Sequence, residues 1–416
     1  MTAAPAFTIP IRKEPMPHIP SPSPTPIRTH RPGPPGVPNG PLARWLRHPG
    51  ATQRHWLHQL TALVAGQAHH LAVTVLALAA VIVAVLVLRE LGGRAAVRGG
   101  RWVEIRPPAQ PAPTGGLALW RQLAPLLSAR RTFTGARPPV GFECLARAGT
   151  LQLGLWVSRT ISAAAVAHTV ETAWPGAHAT VTVPPPLLPA RRDGGCRASG
   201  RLVRLSTAEW FPLGAHNAAE VDHPVTDPIR GLLGALIDVP AGGTGVLQIL
   251  VRPATGRQLR HARRAALTAR NGPPARTGRL PRPGASHRGQ TQGAPDPLAL
   301  ADVREITRKL TDPPHFQVTI RLGVSGGPGR AGRRARRGWL RQLSAALGLY
   351  TGRNQLILGP LHRAGTTIGS RRLRRGFLLS VSELAALAHL PAEPSRHGLN
   401  IAAARAVAPP AELTDA

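Results

Sequence analysis

From Leu71 to Leu88 the chain reads LAVTVLALAAVIVAVLVL, eighteen residues without a charge, a glycine or a proline. At ~1.5 Å rise per residue this run makes about 27 Å of helix, close to the ~30 Å hydrocarbon core of a bilayer once an upstream turn from Leu63 to Ala68 is added. Apolar residues occupy every face, which excludes an amphipathic surface helix, and a buried core helix of this length would carry polar positions. The run is expected to cross the membrane once, as the core of a juxtamembrane and transmembrane segment over 44–90. A cleaved signal peptide does not fit, because seventy residues precede the run and Arg89-Glu90 follow it without a small-residue cleavage site. Cationic loops resist translocation, and Arg89, Arg94, Arg98, Arg101 and Arg106 follow the span whereas only Arg54 stands close before it. The expectation is a single-pass protein of the cell membrane with its C-terminal bulk in the cytoplasm. His55, His58, His69 and His70 precede the span without a carboxylate partner and read as polar anchors.

The rest of the chain is basic: 52 Lys+Arg stand against 19 Asp+Glu, a net charge of +33, and only Lys13 and Lys309 are lysines. Such a balance calls for an acidic partner, although GC-rich coding also enriches Arg, Ala, Gly and Pro. Cys144 and Cys196 lie far apart with no Cys or His at ligand spacing, so neither a metal site nor a disulfide framework is expected, and no cofactor.

Residues 1–43 repeat proline too often for helix or sheet and are expected to be disordered. Breaks of similar composition fall at 107–116, 184–200 and 271–295. Between them the apolar periods alternate between helix and strand. Trp120, Leu123, Leu126 and Leu127 fit a helix face; Phe142 to Ala146 and Leu151 to Val157 fit a hairpin across Arg147-Ala148-Gly149; Val166, Val170 and Trp174 fit a second helix, and Ala179 to Val183 a strand. Asp227-Pro228 supplies an N-cap and a first-turn proline for a helix carrying Ile229, Leu232, Leu233, Leu236 and Ile237, followed by a strand over Val246 to Val251. Asp296-Pro297 opens the same grammar again, with Phe316 to Leu322 alternating, a helix through Leu340, Leu343 and Leu347, and a strand over Leu356 to Leu358. Ser380 and Glu383 form a capping box for a short helix over 380–390. This predicts an α+β protein: a transmembrane helix followed by two ferredoxin-like two-layer α/β units in degenerate repeat, over 117–268 and 296–391, with a linker at 269–295 and a loose tail over 392–416.

Motifs for chemistry are wanting. Neither lysine stands in a phosphate-gripping Gly-x4-Gly-Lys-[Ser/Thr] loop. Gly327 to Gly332 fits GxGxxG, but no ribose-binding acid follows, since no Asp or Glu occurs between Asp312 and Glu383. Gly323-Val-Ser325-Gly-Gly327 fits GxSxG, but Pro328 and Gly329 are expected to prevent the helix that a nucleophile elbow requires. The chain therefore reads as non-enzymatic. The acid-free interval holds thirteen arginines, among them Arg330, Arg333, Arg334, Arg336, Arg337, Arg371, Arg372, Arg374 and Arg375, a field that attracts phosphate backbones or an acidic protein face, or rests on anionic lipid.

Several segments resemble a known family. GRWVEIRPP (100–108), LWRQLAPLL (119–127), GFECLARAGTLQLGLWVSRTISAAAVAHTVETAWPGAHATV (141–181), EWFPL (209–213), DPIRGLLGAL (227–236), GVLQILVRPATGRQLRHARRAA (245–266) and FLLSVSELAALAHLP (377–391) with APPAEL (408–413) are similar to the membrane-proximal, non-motor half of type IV secretion and conjugative DNA-transfer coupling ATPases of high-GC Gram-positive bacteria. The likeness covers about 60–413 and keeps its order. It implies a part that anchors and positions a hexameric motor, yet the P-loop domain is absent from these residues. The expectation is a non-enzymatic membrane component of a DNA-transfer or type IV-like apparatus that docks a separate P-loop ATPase through Ser380, Glu383, Leu384, Leu387 and Leu390, and assembles as a homo-oligomer if it follows a hexameric motor. The alternative is a membrane-tethered, sequence-independent nucleic-acid-binding protein.

Overall fold

The computed structural model describes residues 70–88, 91–92, 95, 97–129, 137–189, 197–214, 227–271 and 297–402. The proline-rich start, His55, His58 and His69, most of the expected linker, the tail beyond 402 and Cys196 lie outside the described residues. Helix α1 (His70–Leu88) is long and apolar enough to cross a membrane, and its side chains are exposed along its length. Its one hydroxyl is satisfied within the helix, Thr74 Oγ1 donating to the His70 carbonyl at 2.7 Å.

From Arg101 onward the described residues build one antiparallel sheet of nine strands covered by helices. The elements run β1 (Arg101–Arg106), α2 (Gly115–Ala129), β2 (Val140–Arg147), β3 (Thr150–Val157), α3 (Ala163–Ala173) and β4 (His178–Thr182). They continue as β5 (Arg197–Leu205), α4 (Pro228–Ile237), β6 (Thr244–Pro253), α5 (Gly256–Asn271), α6 (Pro297–Leu310), β7 (Phe316–Gly326), α7 (Gly329–Leu347) and β8 (Leu356–Pro360), and end with α8 (Ala364–Gly369), β9 (Phe377–Leu379) and α9 (Val381–Leu387). The strand order is β4-β1-β3-β2-β6-β7-β5-β8, with β9 also paired to β7. Setting aside the α5–α6 insertion, each half is thus β-α-β-β-α-β, and each reads fourth-first-third-second strand from its outer edge inward. The halves meet where β2 pairs with β6, from Val140 against Val251 to Arg147 against Thr244.

Local chemistry explains most of these elements. The β2–β3 hairpin closes through a two-residue turn in which Ala148 and Gly149 take φ of 47° and 76°, as a type I′ turn demands. Asp227 caps α4, its Oδ1 accepting from the Ile229 N–H at 3.1 Å, with Pro228 in the first turn. Ser162 caps α3 in the same way. On one sheet face the alternate residues Val140, Phe142, Cys144, Leu247, Ile249, Val251, Val318, Ile320 and Leu322 are buried in a continuous core with apolar residues from α2, α3, α4, α7 and α9. Each such side chain contributes roughly 1.5–3 kcal/mol by leaving water. Trp120 joins it with its indole N–H satisfied by the Ala388 carbonyl at 2.8 Å.

The opposite face is polar at its centre, and there the sheet holds a buried ionic network. Arg371 grips Glu143 of β2 through Nε at 2.9 Å and Nη2 at 2.9 Å, and Gln248 Nε2 donates to the same carboxylate at 2.9 Å. Arg321 of β7 donates to Gln248 Oε1 and to the Thr367 carbonyl, both at 3.0 Å, and to the Arg372 carbonyl. Burial, with Arg374 adding to it against the opposing charge of Glu143, pushes the Arg321 guanidinium down to about 10. The network ties the first half to the segment around α8.

Several expectations change here. The segment expected as a domain linker joins α5 to α6 inside the connection between adjacent strands β6 and β7, so the sheet runs on across it. Strands β1, β5 and β9 and helices α5 and α8 are not expected from the sequence. RWVEIR reads as juxtamembrane charge, yet Trp102, Val103 and Ile105 are buried between β3 and β4. RASGRLVRL begins in a stretch read as a Pro/Gly break, and its partners β7 and β8 supply the pairing that its own composition does not. Strand β7 is buried on both faces over its whole length rather than alternating, because the α8 region closes its second face.

Candidate nucleic-acid interface

Helix α7 begins three residues after β7, at Gly329, where φ is +73°. The expectation that Pro328 and Gly329 would prevent a helix is corrected: Pro328 occupies the cap and the helix starts at once. A Cβ at Gly332 would run into the Gly327 carbonyl oxygen, so that glycine lets the turn close. Ser325 of the GxSxG match nevertheless sits inside β7, buried, with its Oγ accepting from the Thr244 N–H at 3.0 Å. That hydroxyl ties β7 to β6 instead of standing at the apex of a turn.

The inner side of α7 carries Trp339, Leu340, Leu343 and Leu347 into the core. Its outer side carries Arg330, Arg333, Arg334, Arg337 and Arg341, all exposed, and together these five line one surface depression. The spacing i, i+3, i+4, i+7, i+11 places them in one stripe along the helix, about 17 Å from end to end. Among the described residues none of the five pairs with a carboxylate, so their field is not neutralised locally. A row of unpaired guanidinium groups on a rigid helix suits a row of phosphates, which accept two N–H bonds from each fork.

The other expected contact residues divide. Arg336 faces inward and is 2% exposed; its Nε donates to Ser199 Oγ at 3.1 Å and its Nη1 to the Gly326 and Gly327 carbonyls at 3.2 and 2.6 Å. It is a clamp between β5 and the β7–α7 turn, not a surface contact. Arg371 is likewise removed from the surface by its pairing with Glu143. Arg372 is half-buried, and Arg374 and Arg375 are exposed in the loop before β9, away from the α7 stripe in sequence. Arg341 belongs to the stripe beyond the expected contact residues, and its i+4 spacing from Arg337 is the sequence signal for it.

The residues expected to meet a motor lie inside the molecule. Ser380, Glu383, Leu384, Leu387 and Leu390 are all buried. The capping box forms, with Glu383 Oε2 accepting from the Ser380 N–H at 2.8 Å and Ser380 Oγ accepting from the Glu383 N–H at 3.4 Å. Glu383 also pairs with the buried Lys309 of α6 at 3.0 Å and accepts from the Leu213 N–H at 2.7 Å. The three leucines pack into the main core. A helix whose marked residues are all engaged internally offers none of them to a partner.

Cys144 is buried on β2, and burial, reinforced by Glu143, pushes its thiol far above the ordinary range, so it acts as an apolar core residue. Among the described residues no cluster of three or more potential metal ligands occurs. No protein-family model and no curated protein matches the chain.

Proposed function

We propose that this protein is a membrane-anchored, non-catalytic component that holds nucleic acid by its phosphate backbone, independently of sequence, as part of a DNA-transfer apparatus. The observation that carries this reading is the α7 stripe, five exposed and unpaired arginines on one face of a helix whose other face is fixed in the core. Helix α1 serves as the single transmembrane anchor, with the arginines that follow it keeping the sheet on the cytoplasmic side. The two β-α-β-β-α-β halves are two ferredoxin-like units fused edge to edge. The resemblance to coupling ATPases supplies the process, and a separate motor would meet this chain away from the buried 380–390 helix. Rings that could stack on bases are scarce near the stripe, since Trp339 and Tyr350 are buried, which favours contact through phosphate alone.

The test uses the full chain in detergent or nanodiscs and a fluorescent DNA duplex of arbitrary sequence. Binding should weaken with salt at a logarithmic slope of about −4.5 if all five arginines neutralise phosphates. Replacing Arg333, Arg334 and Arg337 by Glu should abolish retention at low salt while α-helical content is unchanged. Duplex binding that the triple variant leaves intact would refute the stripe. Absence of duplex binding alongside salt-sensitive capture of an acidic polypeptide would turn the same face toward a protein partner.

A further inference from the structure

The outer edges of the sheet are β4 and β8, the fourth strands of the two halves. An edge strand offers a row of unpaired N–H and C=O groups, and proteins blunt such rows with charge or proline. Strand β8 is blunted: it ends at Pro360, which has no N–H to offer, and the Arg204 side chain lies against Gly359. Strand β4 is not. It reads HATVT and is followed by Val183, without Lys, Arg, Asp or Glu, in a chain of net charge +33.

The open part of this edge is short, and named residues set its limits. Glu171 of α3 accepts from the Ala179 N–H at 3.1 Å, so that N–H points away from β1. Hydrogen-bonding direction alternates along a strand, so the N–H and C=O groups of Val181 and Val183 point outward as well. Among the described residues no strand pairs with that side of β4. Glu171 closes the window at one end and Pro184 at the other. Val181 stands opposite the buried Val103 in the ladder and so lies on the core face, but at its rim: it is 43% exposed, and Val183 is 75% exposed.

We propose that β4 pairs antiparallel with β4 of a second copy of this chain, about a two-fold axis through Thr182. In that register Val181 faces the partner's Val183, each donating its N–H to the other's C=O, and Thr182 faces the partner's Thr182. The edge is complementary to itself here. Valine meets valine on the core side and threonine meets threonine on the other, pairs that sheets favour, and no charge is brought against its like. The exposed valines of both copies leave water together at the rims of their cores. Glu171 keeps its bond to Ala179, so no contact already formed is lost. The chain joins its own halves by the same device, β2 and β6 pairing antiparallel as second strand to second strand. Because the contact is isologous and β8 is blunted, association closes at two copies instead of running on as a fibre. The pairing is independent of nucleic-acid binding by α7.

The test uses the full chain in detergent with Cys196→Ser as background; Cys144 is buried and does not compete. In a non-hydrogen-bonded pair the Thr182 Cα atoms of the two copies would stand about 4.5 Å apart, within disulfide range. Thr182→Cys should therefore form an intermolecular disulfide under mild oxidation, whereas Ile357→Cys, exposed on β8, should not. Adding V181K/V183K should abolish the crosslink. Light scattering should find the unchanged chain dimeric and V181K/V183K monomeric, with the same circular dichroism. A monomeric unchanged chain overturns the proposal. So does a dimer that V181K/V183K leaves intact, which would move the contact elsewhere, for instance to α1, and so does crosslinking through Ile357→Cys in place of Thr182→Cys. Should V181K/V183K disturb the circular dichroism, Thr182→Cys in the otherwise native edge decides the matter by crosslinking or failing to.

Discussion

Helices α3 and α7 occupy the same place in the two halves, between third and fourth strand, and do the same structural work. Val166, Val170 and Ala173 face the core from α3 as Trp339, Leu343 and Leu347 do from α7. Their outer faces share nothing. Helix α3 exposes Ala164, His168, Glu171 and Thr172, without an arginine, whereas α7 exposes five. The fold therefore does not require cations at this position, and the stripe is an addition to it. The connection between second and third strand makes the same point: two residues suffice in the first half, and the α5–α6 hairpin fills the equivalent place in the second. At the helix between third and fourth strand, what distinguishes the second half from the first is the row of arginines it displays.

The comparison can be broken at the joint between the halves. Arg371→Ala leaves the buried Glu143 with Gln248 but without its paired charge and should cost about 3–5 kcal/mol in urea unfolding, because the carboxylate keeps its desolvation penalty and loses its cation. The halves should fail together in one transition; two separate transitions would show them to be independent domains. The double change Glu143→Leu with Arg371→Met should recover most of the loss, since packed apolar groups replace the pair. Lys309→Met, which strands Glu383 against α6, is expected to cost nearly as much.

Smaller effects sharpen the picture. Burial alone would raise the Asp227 carboxyl, but the His389 hydrogen bond at 3.0 Å and its charge, with the N–H groups of Ala392 and Ile229, hold it below the usual range. Its contribution is complete above about pH 4 and is lost as pH falls through the lowered value, so acid should destabilise the α4 region and Asp227→Asn should flatten that part of the pH–stability curve. Ser380→Ala removes one side of the capping box and should cost about 1 kcal/mol by denaturant titration. The smallest change is expected where function is proposed. Arg333, Arg334 and Arg337 to Gln should move stability by less than about 0.5 kcal/mol each while lowering the magnitude of the duplex salt slope by about 2.7. A large stability loss there would make the stripe structural after all.

Much of this was legible beforehand where the signal was local. The β2–β3 turn, the capped α4, the capping box of α9 and the apolar α1 each depend on residues within a few positions of one another, and hydrogen-bond geometry or period alone specifies them. Strands β1 and β5 were not legible, because RWVEIR and RASGRLVRL acquire their burial and pairing from strands far away in the chain. The site divided in the same way. The acid-free run of arginines was visible, but its composition is uniform, and only the phase of α7 separates Arg337, facing water, from Arg336, facing Ser199 one residue before it.

By itself the sequence determined the apolar length of α1, the excess of cations and the alternation of helix with strand, all of which follow from side-chain chemistry and short-range spacing. Only the tertiary structure decided that the two halves share one sheet, that Arg321, Arg336 and Arg371 are enclosed by distant partners, and that the 380–390 helix is core. Burial is a property of what lies across the gap, and a linear pattern of charges and apolar residues does not say which distant segment will close it.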